Sequence, residues 1–221
     1  GFAVSNMIMN NLLLSYGASD PLGSDGALAV MRVLSAVGIF TIMPSMGIAM
    51  GAQPIIGYNY GARKFGRMKR TLGQGILLGI AITTPLWLTV LFLPDMYAHL
   101  FSLPEAYLDA TAWALIAYLV FIPILPVALI GSNYFDATGQ ALKATLLTLT
   151  RQILFFIPLL LASPHVLPLV LPWTPLQSLF FAPSISDITS TLLVVAFLAA
   201  EWRRLRKLEA HEALEATGAA S

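Results

Sequence analysis

The sequence contains no cysteine, which excludes disulfides, thiolate metal sites and cysteine nucleophiles. Charge is scarce as well: charged residues make up 10% of the chain, where a soluble domain carries about 25%. Only three histidines are present. His99, His165 and His211 are expected in loops or in the tail, and no two stand at metal-ligand spacing. No Ser-His-Asp order, glycine-rich phosphate loop or paired-carboxylate motif occurs. The sequence therefore offers no catalytic residue, metal site or cofactor site, and reads as a non-enzyme. A net charge of +1 points to no nucleic-acid partner.

What the chain has instead is apolar length. Of its 221 residues 57% are hydrophobic, and the mean hydropathy is +0.79. A soluble fold of this composition would leave too much apolar surface in water. A membrane-spanning helix needs about 20 apolar residues. The pattern predicts an all-α, polytopic bundle with six spans, at about residues 2–16, 27–58, 71–93, 107–130, 141–161 and 177–200. Residues 1–200 form one membrane lobe on this reading, and 201–221 a charged, amphipathic tail expected as a short surface helix. Residues 162–176, with Pro164, Pro168, Pro172 and Pro175, are expected as a connection. The start, Gly-Phe-Ala-Val, does not look like a signal peptide. It reads as a chain entered partway through a hydrophobic segment.

The cations orient the bundle. Six spans place Arg63, Lys64, Arg67, Lys69, Arg70, Lys143, Arg151, Arg203, Arg204, Arg206 and Lys207 on one side and only Arg32 on the other. The opposite side carries Asp20, Asp25, Asp95, Glu105 and Asp109. Because positive charge collects on the cytoplasmic face, the C-terminus is expected in the cytoplasm. The expected location is the plasma (inner) membrane, multi-pass.

Polar groups at membrane depth are few, and ionisable ones there are candidates for function. Asn6, Asn10 and Asn11 lie in the first span, and Asn6 and Asn10 share a face. Gln53 adjoins Pro54 in the second span, and Asp136 stands near the cytoplasmic end of the fourth. Asp187 lies in the sixth span. It is either an ion-coupling acid or a packing acid bonded to Ser184, Ser186 or Arg151. Arg151 itself is expected to snorkel toward the cytoplasmic interface. The pairs Gly47/Gly51 and Gly75/Gly79 allow close helix approach, for packing or for sliding. Prolines inside the spans, among them Pro123 and Pro126, invite breaks around a cavity.

One stretch is more specific. Gly51-Ala52-Gln53-Pro54-Ile55-Ile56-Gly57-Tyr58-Asn59-Tyr60-Gly61-Ala62, followed by Arg67-Met68-Lys69-Arg70, resembles the MATE (multidrug and toxic compound extrusion) family of transporters. It is similar to the second helix of that family's C-terminal half and the loop after it. Phe135, Ala137, Thr138 and Gly139, the run Arg151–Leu159, and Ala182–Asp187 resemble the family's helices ten, eleven and twelve. Members have twelve spans in two six-helix lobes around a central cavity. The chain resembles the second lobe alone, as a fragment, a split gene or a truncated product.

The resemblance implies antiport: an organic, often cationic compound leaves as H+ or Na+ enters. The implied partners are membrane lipid, an N-terminal six-helix lobe, a small organic substrate and the coupling ion. Gln53, Asn6 and Asn10 are the expected substrate and cavity residues. Tyr58, Asn59, Tyr60 and Gly61 form an expected turn or gate at the cytoplasmic mouth. Some members carry acids in helices seven and ten of this lobe. Here the first of these has Asn6, Asn10 and Asn11, and span four has no acid before Asp136. Coupling is therefore expected in the N-terminal lobe, with Asp187 as the local alternative. Two other readings stay open: a lipid-linked oligosaccharide flippase of the same superfamily, and a non-transporting membrane subunit. A flippase would favour a more cationic cavity than these spans supply.

Overall fold

The computed structural model describes the backbone of residues 2–218 and the side chains of residues 3–208. The architecture is an all-α bundle, and among the described residues there is no β-strand. In chain order the helices are α1 (Phe2–Gly17), α2 (Gly23–Gly61), α3 (Phe65–Phe92), α4 (Pro94–Leu100), α5 (Leu108–Leu119), α6 (Leu125–Ala137), α7 (Ala141–Leu149), α8 (Phe156–Val170) and α9 (Pro175–Gly218). Among the described residues, five stretches are long and apolar enough to cross a membrane: Gly23–Gly61, Phe65–Phe92, Glu105–Ala137, Ala141–Val170 and Pro175–Leu208. Helix α1 has 16 residues. At 1.5 Å per residue that is roughly 24 Å, below the roughly 30 Å of a bilayer core.

Two of the long stretches are broken internally. Between α5 and α6 the chain makes a tight three-residue turn at Ile122–Ile124. Pro123 there has no amide hydrogen, and Pro126 sits in the first turn of α6, where none is needed. Between α7 and α8 the helix widens into a π-helical turn, Thr150–Phe155. No proline or glycine lies within it, but Pro158 just beyond it lacks the amide that would reach the Leu154 carbonyl and crowds that carbonyl, which loosens the turn locally.

Several boundaries differ from the sequence reading. Gly57 to Gly61 is not a turn, because α2 runs through it. The amide nitrogen of Asn59 donates to the Ile55 carbonyl at 2.8 Å, which satisfies the side chain without breaking the helix. The turn is Ala62–Lys64. There Arg63 takes φ 55°, and the Lys64 N–H closes onto the Asn59 carbonyl at 2.8 Å. The connection expected at 162–176 is shorter, since α8 continues through Pro164 and Pro168 to Val170. His165 therefore lies on α8, where its Nε2 meets the Tyr16 hydroxyl at 3.2 Å, and His99 lies on α4. The charged tail is no separate helix but the continuation of α9. His211 falls outside the described side chains.

The packing explains the glycines. Helix α2 packs on α3 and α6, and α9 packs on α6 and α8. A Cβ on Gly79 would stand 2.8 Å from Pro126, and one on Gly131 2.5 Å from Val194. A Cβ on Gly57 would stand 2.9 Å from the Ala137 carbonyl oxygen. These positions hold helices α2, α3, α6 and α9 at close range. The two Gly-x-x-x-Gly pairs divide. Gly75 and Gly79 pack inside the bundle, whereas Gly47 and Gly51 meet nothing within 4 Å and lie on the outer face of α2. Buried Ser45 and Thr83 join α2 to α3 by a 2.8 Å hydrogen bond.

Candidate functional site

Helix α9 supplies the acid and holds its surroundings. The segment Ala182-Pro183-Ser184-Ile185-Ser186-Asp187 passes both broken helices. The end of α5 leaves carbonyls without helical partners. The Ser184 hydroxyl lies 2.7 Å from each of two of them, Ala117 O and Tyr118 O. The π turn likewise disturbs the carbonyls of Arg151 and Gln152. Ser186 donates to Arg151 O at 3.1 Å, and Ser5 of α1 donates to Gln152 O at 2.7 Å. A polar backbone inside a bilayer must be satisfied by protein, and three serines do this here.

With its backbone fixed in this way, Arg151 turns inward. Its Nε donates to Oδ1 of Asp187 at 3.1 Å, and its Nη2 stands 3.0 Å from the same oxygen. The snorkelling expected of Arg151 is therefore not what it does. A carboxylate nearby in a low-dielectric bundle attracts the guanidinium more strongly than the interface can. Ser184 and Ser186, the other partners considered for Asp187, bond to backbone instead.

The pair borders two chambers, of about 420 Å³ and about 200 Å³. Asn6, Tyr118, Arg151, Gln152 and Asp187 line both, so the pair stands in their shared wall. Ser132, Asn133 and Asp136 of α6 line only the larger one. Met9, Met31 and Phe156 line only the smaller. The result is a mainly apolar interior that carries one guanidinium, two carboxylates and several amides.

The other expected residues fall elsewhere. Asn10 is exposed and Gln53 half-buried, and neither lines a chamber. One helical turn separates Asn6 from Asn10, yet only Asn6 reaches the interior. Tyr58 is 74% exposed, Asn59 is buried, and Gly61 is exposed. The Tyr60 ring meets Phe65 edge-on, with centroids 6.0 Å apart. These four residues close the α2–α3 turn and line neither chamber.

A second polar cluster escapes the sequence reading. Glu201 of α9 is 2% exposed. It accepts from Gln140 at 2.9 Å, from Lys143 at 3.0 Å and from Arg204 at 3.2 Å. It ties the α6–α7 turn to α9. Nearby, the Tyr134 ring stacks on Trp202, and its hydroxyl is the buried side-chain polar atom without a partner among the described residues. The available signal was an acid directly after an apolar span, facing a loop with Gln140 and Lys143. Among the described residues no group of three His, Cys, Asp or Glu side chains could hold a metal ion.

Comparison with known proteins places this arrangement. A family model described as MatE matches residues 2–161. The chain belongs to the MatE family. No curated protein matches it. Solved structures do. An inward-facing multidrug resistance MATE family transporter of the MOP superfamily shares 18% identity at a TM-score of 0.80, covering 93% of this chain and 45% of that one. The outward-facing form gives 18% identity and 0.80, covering 93% and 44%. The MATE transporter ClbM in complex with Rb+ gives 22% and 0.78, covering 92% and 44%. The chain thus spans a little under half the length of these MATE structures. It is a multi-pass membrane protein with the fold of half a MATE transporter, as the stretch at Gly51–Ala62 leads one to expect.

Proposed function

We propose that this chain is the C-terminal lobe of a secondary active transporter. On this reading it exports organic, often cationic compounds in exchange for H+ or Na+, together with an N-terminal six-helix lobe. The observation that carries the proposal is Asp187, a membrane-depth carboxylate in the shared wall of two mainly apolar chambers in a chain of the MatE family. An acid buried at this depth is costly to keep and marks an ion or substrate path. Loading it with H+ or Na+ changes the charge of the lobe interior. Such a change shifts the balance between outward- and inward-open states only if the two bind the ion differently.

Asp187 takes the role of coupling acid, and Asn6 offers amide contacts to whatever enters the chambers. Gln53 and Asn10 line neither chamber and would meet substrate only on surfaces outside them. Tyr58, Asn59, Tyr60 and Gly61 act as a structural end to α2 at the cytoplasmic mouth. The C-terminus lies in the cytoplasm of a plasma-membrane protein, with Arg203, Arg204, Arg206 and Lys207 on that side.

The test is transport by the complete reading frame that contains this lobe, purified into vesicles with an imposed H+ or Na+ gradient. A fluorescent organic cation inside the vesicles is expected to leave faster when either gradient points inward. Equal rates with and without each gradient, for a panel of cationic dyes, would sink the antiporter reading.

A further inference from the structure

Arg151 meets Asp187 in an uneven way. A guanidinium facing a carboxylate squarely engages both oxygens. Here Nε at 3.1 Å and Nη2 at 3.0 Å converge on Oδ1. Oδ2 takes no part in the pair, and Asp187 borders both chambers. The carboxylate is thus half used by the pair.

The surroundings leave Arg151 as its main counter-charge. From the π turn comes Arg151, from α6 Asp136, and from α5 the phenol of Tyr118. Helix α1 presents the amide of Asn6 and α2 the hydroxyl of Ser35, both uncharged. Among the described residues, Arg151 is the only Lys or Arg lining either chamber. One carboxylate in the smaller chamber and two in the larger, with amide and hydroxyl neighbours, suit a proton or a monovalent cation. Ca2+ or Mg2+ would call for a larger, more acidic oxygen set.

Resting on the reading of Asp187 as the coupling acid, we infer that Arg151 is a tethered competitor for that carboxylate. In the arrangement seen here the guanidinium holds the place of the transported cation. When H+ or a monovalent cation arrives at Oδ2, Arg151 leaves Oδ1 and turns into the larger chamber. In the proton case an arriving hydronium ion gives up its proton, an O–H bond forms on Oδ2 and a water molecule leaves, while Arg151 keeps its charge throughout. The loss of one ion pair and the gain of another bound cation nearly offset, so the site can load and unload. Ser5 and Ser186 make this local. They hold the carbonyls of Gln152 and Arg151 in place while the side chain of Arg151 moves.

The test uses the complete transporter in vesicles with Arg151→Gln. A positive charge a few ångströms from a carboxylate weakens the binding of a second cation by about tenfold or more. The variant is expected to reach half-maximal efflux at a coupling-cation concentration lower by about tenfold or more. Its maximal rate falls, because nothing displaces the bound cation. A half-maximal concentration unchanged from the parent overturns the inference, whatever the yield of protein. Should Arg151→Gln fail to accumulate, Arg151→Lys gives the same readout. A shorter, non-forked cation competes less well and lowers the half-maximal concentration, and an unchanged value again overturns the inference. The two levels separate cleanly. Full cation dependence in Asp187→Asn defeats the underlying reading. Its loss there, with an unchanged value in the Arg151 variants, defeats only the competitor.

Discussion

The Ser186 hydroxyl donates to the Arg151 carbonyl at 3.1 Å, from the residue directly before the acid that Arg151 grips. Helix α9 therefore holds both ends of Arg151, the backbone through Ser186 and the guanidinium through Asp187. Ser5 holds the next carbonyl, Gln152 O, at 2.7 Å. Removing either hydroxyl leaves a carbonyl of the π turn without that partner. Ser186→Ala and Ser5→Ala are each expected to cost about 1 kcal/mol, seen as a lower midpoint in thermal unfolding of the detergent-solubilised protein. Ser186→Thr keeps the hydroxyl and is expected to restore most of that loss. Identical unfolding of Ser186→Ala and the parent would show that the clamp contributes nothing.

Glu201 makes a comparable prediction beside the α6–α7 turn. It is buried, and it accepts from Gln140, Lys143 and Arg204. Lys143 and Arg204 keep much of their contact with water, with 38% and 55% of their side chains exposed. Truncating Glu201 therefore costs less than breaking a fully buried pair. Glu201→Ala is expected to destabilise the protein by about 2 kcal/mol, and Glu201→Gln by less, because the amide oxygen still accepts. Urea-dependent unfolding that ranks the two variants the other way would contradict this account.

The glycines separate into two groups that mutation can tell apart. A Cβ on Gly131 meets Val194 at 2.5 Å and Leu198 at 3.1 Å. Gly131→Val is expected to cost about 1–3 kcal/mol by overpacking. Gly47 and Gly51 have open space around them. Gly47→Ala and Gly51→Ala are expected to leave the thermal stability of the lobe unchanged or slightly higher, since alanine favours the helix. Circular dichroism melts of these three variants check the contrast.

Much of this fold is legible in the apolar runs. The bundle and the break at Pro123 and Pro126 follow from composition and from the missing proline amide. The π turn is legible only in part. Pro158 marks a missing amide toward the Leu154 carbonyl, but nothing in the sequence shows that Ser5 and Ser186 come from distant helices to bond the turn's carbonyls. Arg151 is misread for the same reason, because snorkelling and pairing with Asp187 differ only in what stands nearby. Pro164 and Pro168 mislead in the opposite direction. They read as a loop, yet an apolar helix in a bundle accommodates them. The site is legible in part. Asp187 and Asn6 stand out as polar groups at depth, whereas Gln53 and Asn10 stand out equally and lie outside the chambers. Spacing along a helix does not say which face the neighbours cover.

Asn6 and Asn10 turn that difference into a measurement. Asn6→Ala removes an amide from both chambers, whereas Asn10→Ala alters an exposed position. In the complete transporter Asn6→Ala is expected to lower dye efflux several-fold, and Asn10→Ala to leave it within about twofold of the parent, given the modest worth of a single hydrogen bond. Equal losses in both variants would place the functional surface on the face of α1 rather than in the chambers.

The central claim is that the Asp187 carboxylate couples cation entry to export. The most direct measurement is dye efflux from vesicles carrying the complete transporter with Asp187→Asn, with and without an inward gradient of the coupling cation. The substitution keeps the shape of the side chain and removes its charge. The account predicts that the gradient no longer accelerates efflux while the protein still folds and inserts. Gradient-driven efflux at the parent rate in Asp187→Asn would contradict it.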